Sequence, residues 1–313
     1  MKLEPITETT FYLPGANNIG VIATGNGGAI AIDTGLNKDT ARHLRKGLDE
    51  RGLQLRTIIS THHHADHIGG NAYLLRVAPE TRIYAPPLEA TLIEYPILEP
   101  VYLHLGATPH TALRNRWLMA EGAPVHHIIG NLETIEQGTS QSLQIADITL
   151  EILPLPGHSI AQVGVVFDNV CFATDGYFGQ TVLEKYGVPY AHNVAAQLAS
   201  LQRLAERQEA WFLPGHGDLT PRAALDELLA INHSTIQRST EQVLQALPGD
   251  IATITARVLQ ELEQQDATGS RPAMGTPQYA IFTSAIAAHL SYLEEQTQAT
   301  VTYQDHGLYW ERT

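Results

Sequence analysis

The chain has 313 residues, 43% of them hydrophobic and 17% charged, and its 19 Lys and Arg against 33 Asp and Glu leave a formal charge of −14. Those proportions exclude a disordered or fibrous protein, and the acidity sets long-range repulsion against nucleic acid and anionic membranes. A single cysteine, Cys171, excludes an intrachain disulfide; with no signal-peptide pattern and no run of about 18 apolar residues, a cytoplasmic location is expected.

The first sixty residues read as strands joined by tight turns. Thr10 to Leu13, Ile19 to Thr24 and Ala29 to Ile32 are apolar or alternating runs, separated by Pro14-Gly15-Ala16-Asn17-Asn18 and Gly25-Asn26-Gly27-Gly28. Residues 38–51 follow as an amphipathic helix with Ala41, Leu44 and Leu48 on one face. Leu55 to Ser60 is a buried strand running into a histidine-rich loop; a helix at Ala72 to Val77 and a strand at Arg82 to Ala85 come next. Between 86 and about 142 prolines interrupt short helical pieces. Strands return at Leu143 to Ile145, Thr149 to Leu153, Gln162 to Phe167 and Val170 to Ala173, then a helix at about 194–208 and a strand at Ala210 to Leu213. Strands and helices thus mix once in each half of residues 1–218, which suggests two sheets face to face with helices outside. Residues 221–263 and about 278–295 read as helices, Asp266 to Pro277 as a loop, and Thr300 to Trp310 as a hairpin turning at Asp305-His306-Gly307. Helices closed by a hairpin describe a winged-helix-like shape or a plain helical cap.

Histidine is the outlier of the composition, with fifteen copies. His62-x-His64-x-Asp66-His67 puts four ligand-competent side chains in six residues directly after a buried strand. Imidazole and carboxylate donors suit zinc and other borderline first-row ions. An internal run that contains Asp and follows an apolar strand is a poor candidate for a solvated histidine tract. It also has counterparts: Pro156-Gly157-His158-Ser159, Thr174-Asp175-Gly176 and Pro214-Gly215-His216-Gly217, each just after an apolar strand and each with glycine beside the ligand.

Together with Ile32-Asp33-Thr34-Gly35, this set resembles, in order and spacing, the five motifs of the metallo-β-lactamase superfamily, over residues 1 to about 218. The resemblance implies an α/β fold, an αββα sandwich with metals at one edge, followed by a mainly helical unit over 219–313. It implies that His62, His64 and His158 bind one metal, that Asp66, His67 and His216 bind a second, and that Asp175 bridges them. Asp33 is expected to orient the ligand loop from behind. His63 has no assigned role and is read as a satisfied neighbour; Cys171 is read as a core residue. The implied cofactors are two divalent ions per chain, zinc foremost, with manganese or iron as alternatives. Two such ions about 3.5–4 Å apart can share a hydroxide and polarise a carbonyl or phosphoryl oxygen. Asp66 is placed to orient that nucleophile or take its proton, and Asp66 and Asp175 are the catalytic candidates.

Spacing separates the branches. Asp175 and His216 lie 41 residues apart, which leaves no room for the domain-sized insertion of β-CASP nucleases. Acyl-homoserine lactonases place a Tyr three residues beyond the bridging Asp, whereas this chain has Phe178 there and Tyr177 one earlier. Hydroxyacylglutathione hydrolases have Phe at that offset and a helical C-terminal domain, but hold glutathione with basic residues. Residues 219–313 contain five Arg, no Lys and eleven acids, a poor glutathione clamp. The expectation is therefore a hydrolase of a small-molecule ester, thioester or lactone, in the thioesterase-like part of the superfamily. Phosphodiesterase or nuclease chemistry, a mononuclear iron persulfide dioxygenase and a non-catalytic metal sensor are the alternatives. No nucleic-acid or membrane partner is expected; a homodimer is left open.

Residues 88–127 are expected to cap the metals and set substrate choice, since forty residues there exceed what a connection needs and are too apolar to stay solvated. Leu113, Trp117 and Leu118 fall at helical spacing. Tyr102, His104 and His110 are expected at the cleft, with Tyr102, Arg114, Trp117, Tyr177 and Phe178 as substrate-contact candidates; Arg114 and Arg116 could hold an anionic group or form surface ion pairs.

Overall fold

Alternation along the strands builds the layers. In the computed structural model, which describes residues 1–265, 274–304 and 306–313, β1 (Glu4–Pro5), β2 (Thr10–Leu13), β3 (Ile19–Ala23), β4 (Gly28–Ile32), β5 (Gln54–Ile59), β6 (Arg82–Ala85) and β7 (His127–Ile128) form one sheet in that order. A second sheet has the order β13-β12-β11-β10-β9-β8, from β8 (Gln141–Ile145), β9 (Ile148–Pro154), β10 (Val163–Phe167), β11 (Val170–Thr174), β12 (Trp211–Pro214) and β13 (Thr220–Pro221). On β4, Ile30 and Ile32 point into the layer between the sheets, where they meet Val163, Val165, Val170 and Phe172 of the second sheet. Ala29 and Ala31, one residue out of phase, point to the other face, against Ala41, Leu44 and Leu48 of α1 (Lys38–Asp49). The period of two does the sorting. On β11 the same phase sends Cys171 and Ala173 outward, towards Leu201 and Leu204. These four layers make the αββα sandwich.

The ligand loops sit at one edge because strands end there. β4 and β5 are parallel neighbours, as are β11 and β12, so the chain leaves each at the same end. α2 (Ala65–Ile68) and α3 (Asn71–Val77) carry it away from β5. α4 (Glu89–Glu94) and α5 (Leu98–Leu103) follow β6, and α6 (Leu132–Glu136) precedes β8. α7 (Gln180–Tyr186) and α8 (Val194–Ala205) connect β11 to β12.

α9 (Arg222–Gln245), α10 (Ile251–Gln265), α11 (Thr276–Glu295) and the hairpin β14 (Ala299–Gln304) with β15 (Gly307–Arg312) complete the chain. Val243, Ile254, Val258, Phe282, Ile286 and Leu290 form their common core. α9 also packs on α8, and α11 packs on α5 and on the 3-10 turn Thr111–Leu113. The expected loop at Asp266 to Pro277 lies outside the described residues up to 273, as does Asp305 of the expected hairpin turn. Among the described residues no helix is long and apolar enough to cross a membrane.

The segment 88–127 holds two short helices, α4 and α5, between its prolines, as the sequence suggests. It differs in one respect: the helix expected through Leu113, Trp117 and Leu118 is absent. There Asn115 competes with the backbone: its amide donates to the Ala112 carbonyl (2.7 Å) and its side-chain oxygen accepts from the Trp117 N–H (2.8 Å). Leu113 and Leu118 are still buried, but Trp117 is 56% exposed.

Candidate metal centre

The loop after β5 holds its donors in place through hydrogen bonds on their far sides. His67 Nδ1–H donates to Asp33 (2.7 Å), His158 Nδ1–H to the Tyr190 carbonyl (3.1 Å) and His216 Nδ1–H to the Ala16 carbonyl (2.6 Å). Each bond fixes the tautomer that leaves Nε2 with a free lone pair pointing inward. Asp33, buried and at φ 64°, also accepts from the Thr61 N–H (2.8 Å) and hydroxyl. The loop therefore hangs on one carboxylate, and a non-glycine residue in the left-handed region there indicates that the surrounding structure imposes the geometry.

The inward atoms fall into two groups. Donors of His62, His64 and His158 lie within 4.8 Å of one another, and so do those of Asp66, His67 and His216. Asp175 stands between them: Oδ1 is 3.3 Å from His67 Nε2, and Oδ2 is 3.2 Å from His158 Nε2 and 3.6 Å from His216 Nε2. Two donors sharing a tetrahedral ion at about 2.0–2.1 Å would lie about 3.3 Å apart. His62 Nε2, His67 Nε2 and Asp175 Oδ1 are buried with no hydrogen-bond partner. Orphaned buried polar atoms are unfavourable, and three converging on one space fit a cation there. Gly215 permits the approach, since a Cβ at that position would sit 2.1 Å from Asp175 Oδ1 and 2.9 Å from His67 Cε1.

Electrostatics agree. Burial, then the neighbouring imidazoles, hold His62 and His64 well below their ordinary value, so both stay neutral as ligands must. Burial is the largest influence on His67 and His216 and opposes their protonation, but the carboxylates together outweigh it, Asp175, Asp33 and Asp66 lifting His67 well above its ordinary value and Asp175 with Asp66 lifting His216 to about 9. Asp175, despite burial, is held far below the carboxylate range by His67, His216 and His158. The carboxylates here demand positive charge, and divalent ions would supply it.

A family model for the metallo-beta-lactamase superfamily matches residues 12–216. The chain belongs to that superfamily. It is similar to a hydroxyacylglutathione hydrolase of Methylobacillus flagellatus, 26% identical over 181 residues, 58% of this chain and 54% of that one. A second such hydrolase, from Cupriavidus taiwanensis, is 27% identical over 206 residues, 66% of this chain and 62% of that one. The chain thus spans only about half to three fifths of the length of these relatives. A metallo-beta-lactamase family protein from Thermus thermophilus superposes with a TM-score of 0.70 at 20% identity, over 99% of this chain and 100% of that one. That match shows the fold, with its C-terminal helices. Both donor groups and Asp175 lie within the residues that the family model matches.

Of the substrate-contact candidates, Phe178 lies at the centre, its ring 5.5 Å from that of His158 and stacked on His216 at 6.2 Å. Tyr177 is corrected. Adjacent residues face opposite ways, and Tyr177 is fully buried in the outer core with its hydroxyl donating to the Phe212 carbonyl, so it cannot touch substrate. Tyr102 is 37% exposed and its hydroxyl is hydrogen-bonded to His63 Nε2 (3.1 Å). Arg114 Nε donates to the Pro109 carbonyl, and Arg116 lies over the Trp117 ring; neither Arg114 nor Trp117 makes a hydrogen bond or ring contact with a metal-donor side chain. His104 and His110 pack edge to face on each other.

Several residues of the site had no sequence signal. Glu89 is fully buried and accepts from the His63 N–H and Nδ1–H, the Ser159 hydroxyl and the Ala161 N–H, tying α4 to the loops that carry His62 and His158. Asn17 donates to the Asp66 carbonyl, and Asn18 to those of Pro214 and Gly217. Asn232 of α9 clasps Phe178 through both backbone groups, at 2.9 Å each.

Proposed function

We propose that the chain is a dinuclear metallohydrolase that cleaves a small-molecule ester, thioester or lactone. The observation that carries this reading is the space bounded by the two donor triads and Asp175, with the unpartnered atoms of His62, His67 and Asp175 directed into it. Divalent ions there, zinc above manganese or iron for this donor set, would supply Lewis acidity and a water deprotonated near neutral pH.

The chain's own residues do the rest. His62, His64 and His158 on one side, and Asp66, His67 and His216 on the other, bind the ions, with Asp175 between. Asp66 is the most exposed of the carboxylates, at 34%, and is braced by His216 at 3.1 Å. It orients the attacking water, takes its proton and returns it to the leaving group. Phe178 walls the site with an apolar face against which an acyl chain can lie and from which water is excluded. No serine or cysteine nucleophile is needed: burial pushes the Cys171 thiol up, leaving it inert in the core.

A thioester or ester reading is supported by the similarity to hydroxyacylglutathione hydrolases and by Phe178 beside His158 and His216. The acidic C-terminal unit, residues 219–313, supports packing or self-association over phosphate binding, which requires Lys and Arg. The test is a panel of thioesters, lactones, β-lactams and a phosphodiester on metal-quantified protein. Two metals per chain, carbonyl-ester turnover and loss of it on chelation are expected. Turnover of the phosphodiester alone would overturn the substrate class. Metal binding without turnover of any substrate would make the protein a sensor.

A further inference from the structure

Glu99 of α5 is 7% exposed, and its carboxyl makes no hydrogen bond with any described residue. It lies close enough to the metal centre to feel the charges of His63, Asp66 and Glu89. No lysine or arginine is among the charges acting on it. Burial pushes it up to about 8. Glu89, the other buried acid of the segment, accepts four hydrogen bonds, so Glu99 is a different case: a nearly buried acid that no described group bonds, whose oxygens keep a narrow access to solvent.

Its neighbours are aromatic. Tyr102, one turn further along α5, and Tyr190 both feel the Glu99 charge. The Tyr190 ring stands edge-on to the metal-donor rings of His64 (5.4 Å) and His158 (5.6 Å), and that of Tyr102 to His63 (6.2 Å). Tyr190 thus borders the donor histidines and Tyr102 borders His63, while Glu99 lies one turn before Tyr102 on α5, the helix that meets α11.

We propose that Glu99, with Tyr102 and Tyr190, forms a subsite for a positively charged group on the substrate, an ammonium carried on the acyl chain or the leaving group. Tyrosine faces and a carboxylate attract a cation, the more so when water is excluded. A cation bound there would favour the ionised carboxylate, which burial alone disfavours. The proposal rests on the hydrolase reading only in taking the bound molecule to be the substrate.

The probe is a matched pair on full-length, metal-loaded protein: acetylthiocholine and its carbon isostere S-(3,3-dimethylbutyl) thioacetate, which differ in a single charge. Wild type is expected to favour the cation in kcat/KM by about tenfold or more, chiefly through KM. Glu99→Gln should bring the ratio close to one, and Tyr102→Ala, at a partly exposed position, should lower it. A wild-type ratio near one overturns the proposal without any variant. So does a high ratio that survives in both variants. If neither thioester is turned over, binding decides, independently of the hydrolase reading: calorimetric titration with choline against 3,3-dimethylbutan-1-ol. Tighter choline binding that is lost in Glu99→Gln, or in Tyr102→Ala should the first variant not fold, sustains the cation subsite. Equal or absent binding of the two ends it.

Discussion

Replacing Asp33 by Asn keeps the side chain's shape and removes one acceptor. In the wild type both carboxylate oxygens accept: Oδ1 from the Thr61 N–H, Oδ2 from His67 Nδ1–H and the Thr61 hydroxyl. An amide offers one oxygen and one NH2. If the oxygen stays on Thr61, the NH2 confronts the Nδ1–H of His67, donor against donor. His67 relieves this by moving its proton to Nε2, which is the atom it contributes to the Asp66, His67 and His216 group. That group then loses one of three donors and its affinity falls. Outer partners of this kind are worth about 10–100-fold in metal affinity, which is about 1.4–2.7 kcal/mol. The other group, His62, His64 and His158, makes no direct hydrogen bond to Asp33, reaching it only through the Thr61 hydroxyl beside His62 Nδ1, and should change by less than about threefold. Competition against a chromophoric chelator resolves the two dissociation constants. Two constants unchanged within about twofold would refute tautomer control by Asp33. A parallel loss in both would show that the change had loosened the whole loop.

Gly215→Ala places a methyl 2.1 Å from Asp175 Oδ1; overpacking of about 1–3 kcal/mol is expected, with metal content well below two per chain by elemental analysis. Asn232→Ala strands both backbone groups of Phe178, destabilising by about 1–3 kcal/mol; kcat/KM should fall while metal content stays at the wild-type level in the same preparation. His289, buried on α11 beside the Thr240 hydroxyl (2.9 Å), is lowered by burial from 6.5 to about 4. The unfolded chain binds this proton below pH 6.5 and the folded chain only near 4, so stability is lost as pH falls through that window, by about 3 kcal/mol in all. Urea midpoints of wild type and His289→Gln between about pH 4 and 7 should diverge in slope accordingly; parallel curves would remove His289 as the cause.

Local chemistry was legible in the sequence, and tertiary chemistry was not. Alternation on β4 and β11 separates inner from outer residues, so the sandwich follows from a period of two. The ligand loops show because their donors crowd into six residues or sit beside glycine at strand ends. Glu89 does not show: it is 26 residues from His63, and only the packing of α4 beneath the loop brings the two together. Asn17 and Asn18 read as turn punctuation, the commonest use of Asn, and nothing local marks that their amides brace loops 49 and 196 residues away. Tyr177 and Phe178 illustrate another limit. The offset from Asp175 picks out the pair, but only the strand's exit direction decides which ring meets the imidazoles. Between Leu113 and Leu118, a helical spacing of apolar residues was outweighed by one Asn side chain that bonds the backbone first.

Some supports of the proposed cleft wall lie outside the residues that the family model matches. Residues 12–216 carry the metal donors and the matched motifs. Yet Phe178 is held by Asn232 of α9, and the cap bearing Glu99 and Tyr102 leans on α11. A helical unit that braces a cleft wall from behind can change the shape and charge of the cleft without touching a metal donor. The donors answer to Asp33 and Asp175, the cleft wall to α9 and α11, and among the described residues no hydrogen bond joins the two sets of supports. A variant on α9 or α11 should therefore move KM and substrate ranking while leaving the metal dissociation constants alone, and Asn232→Ala, whose target is one residue of cleft wall, separates the two.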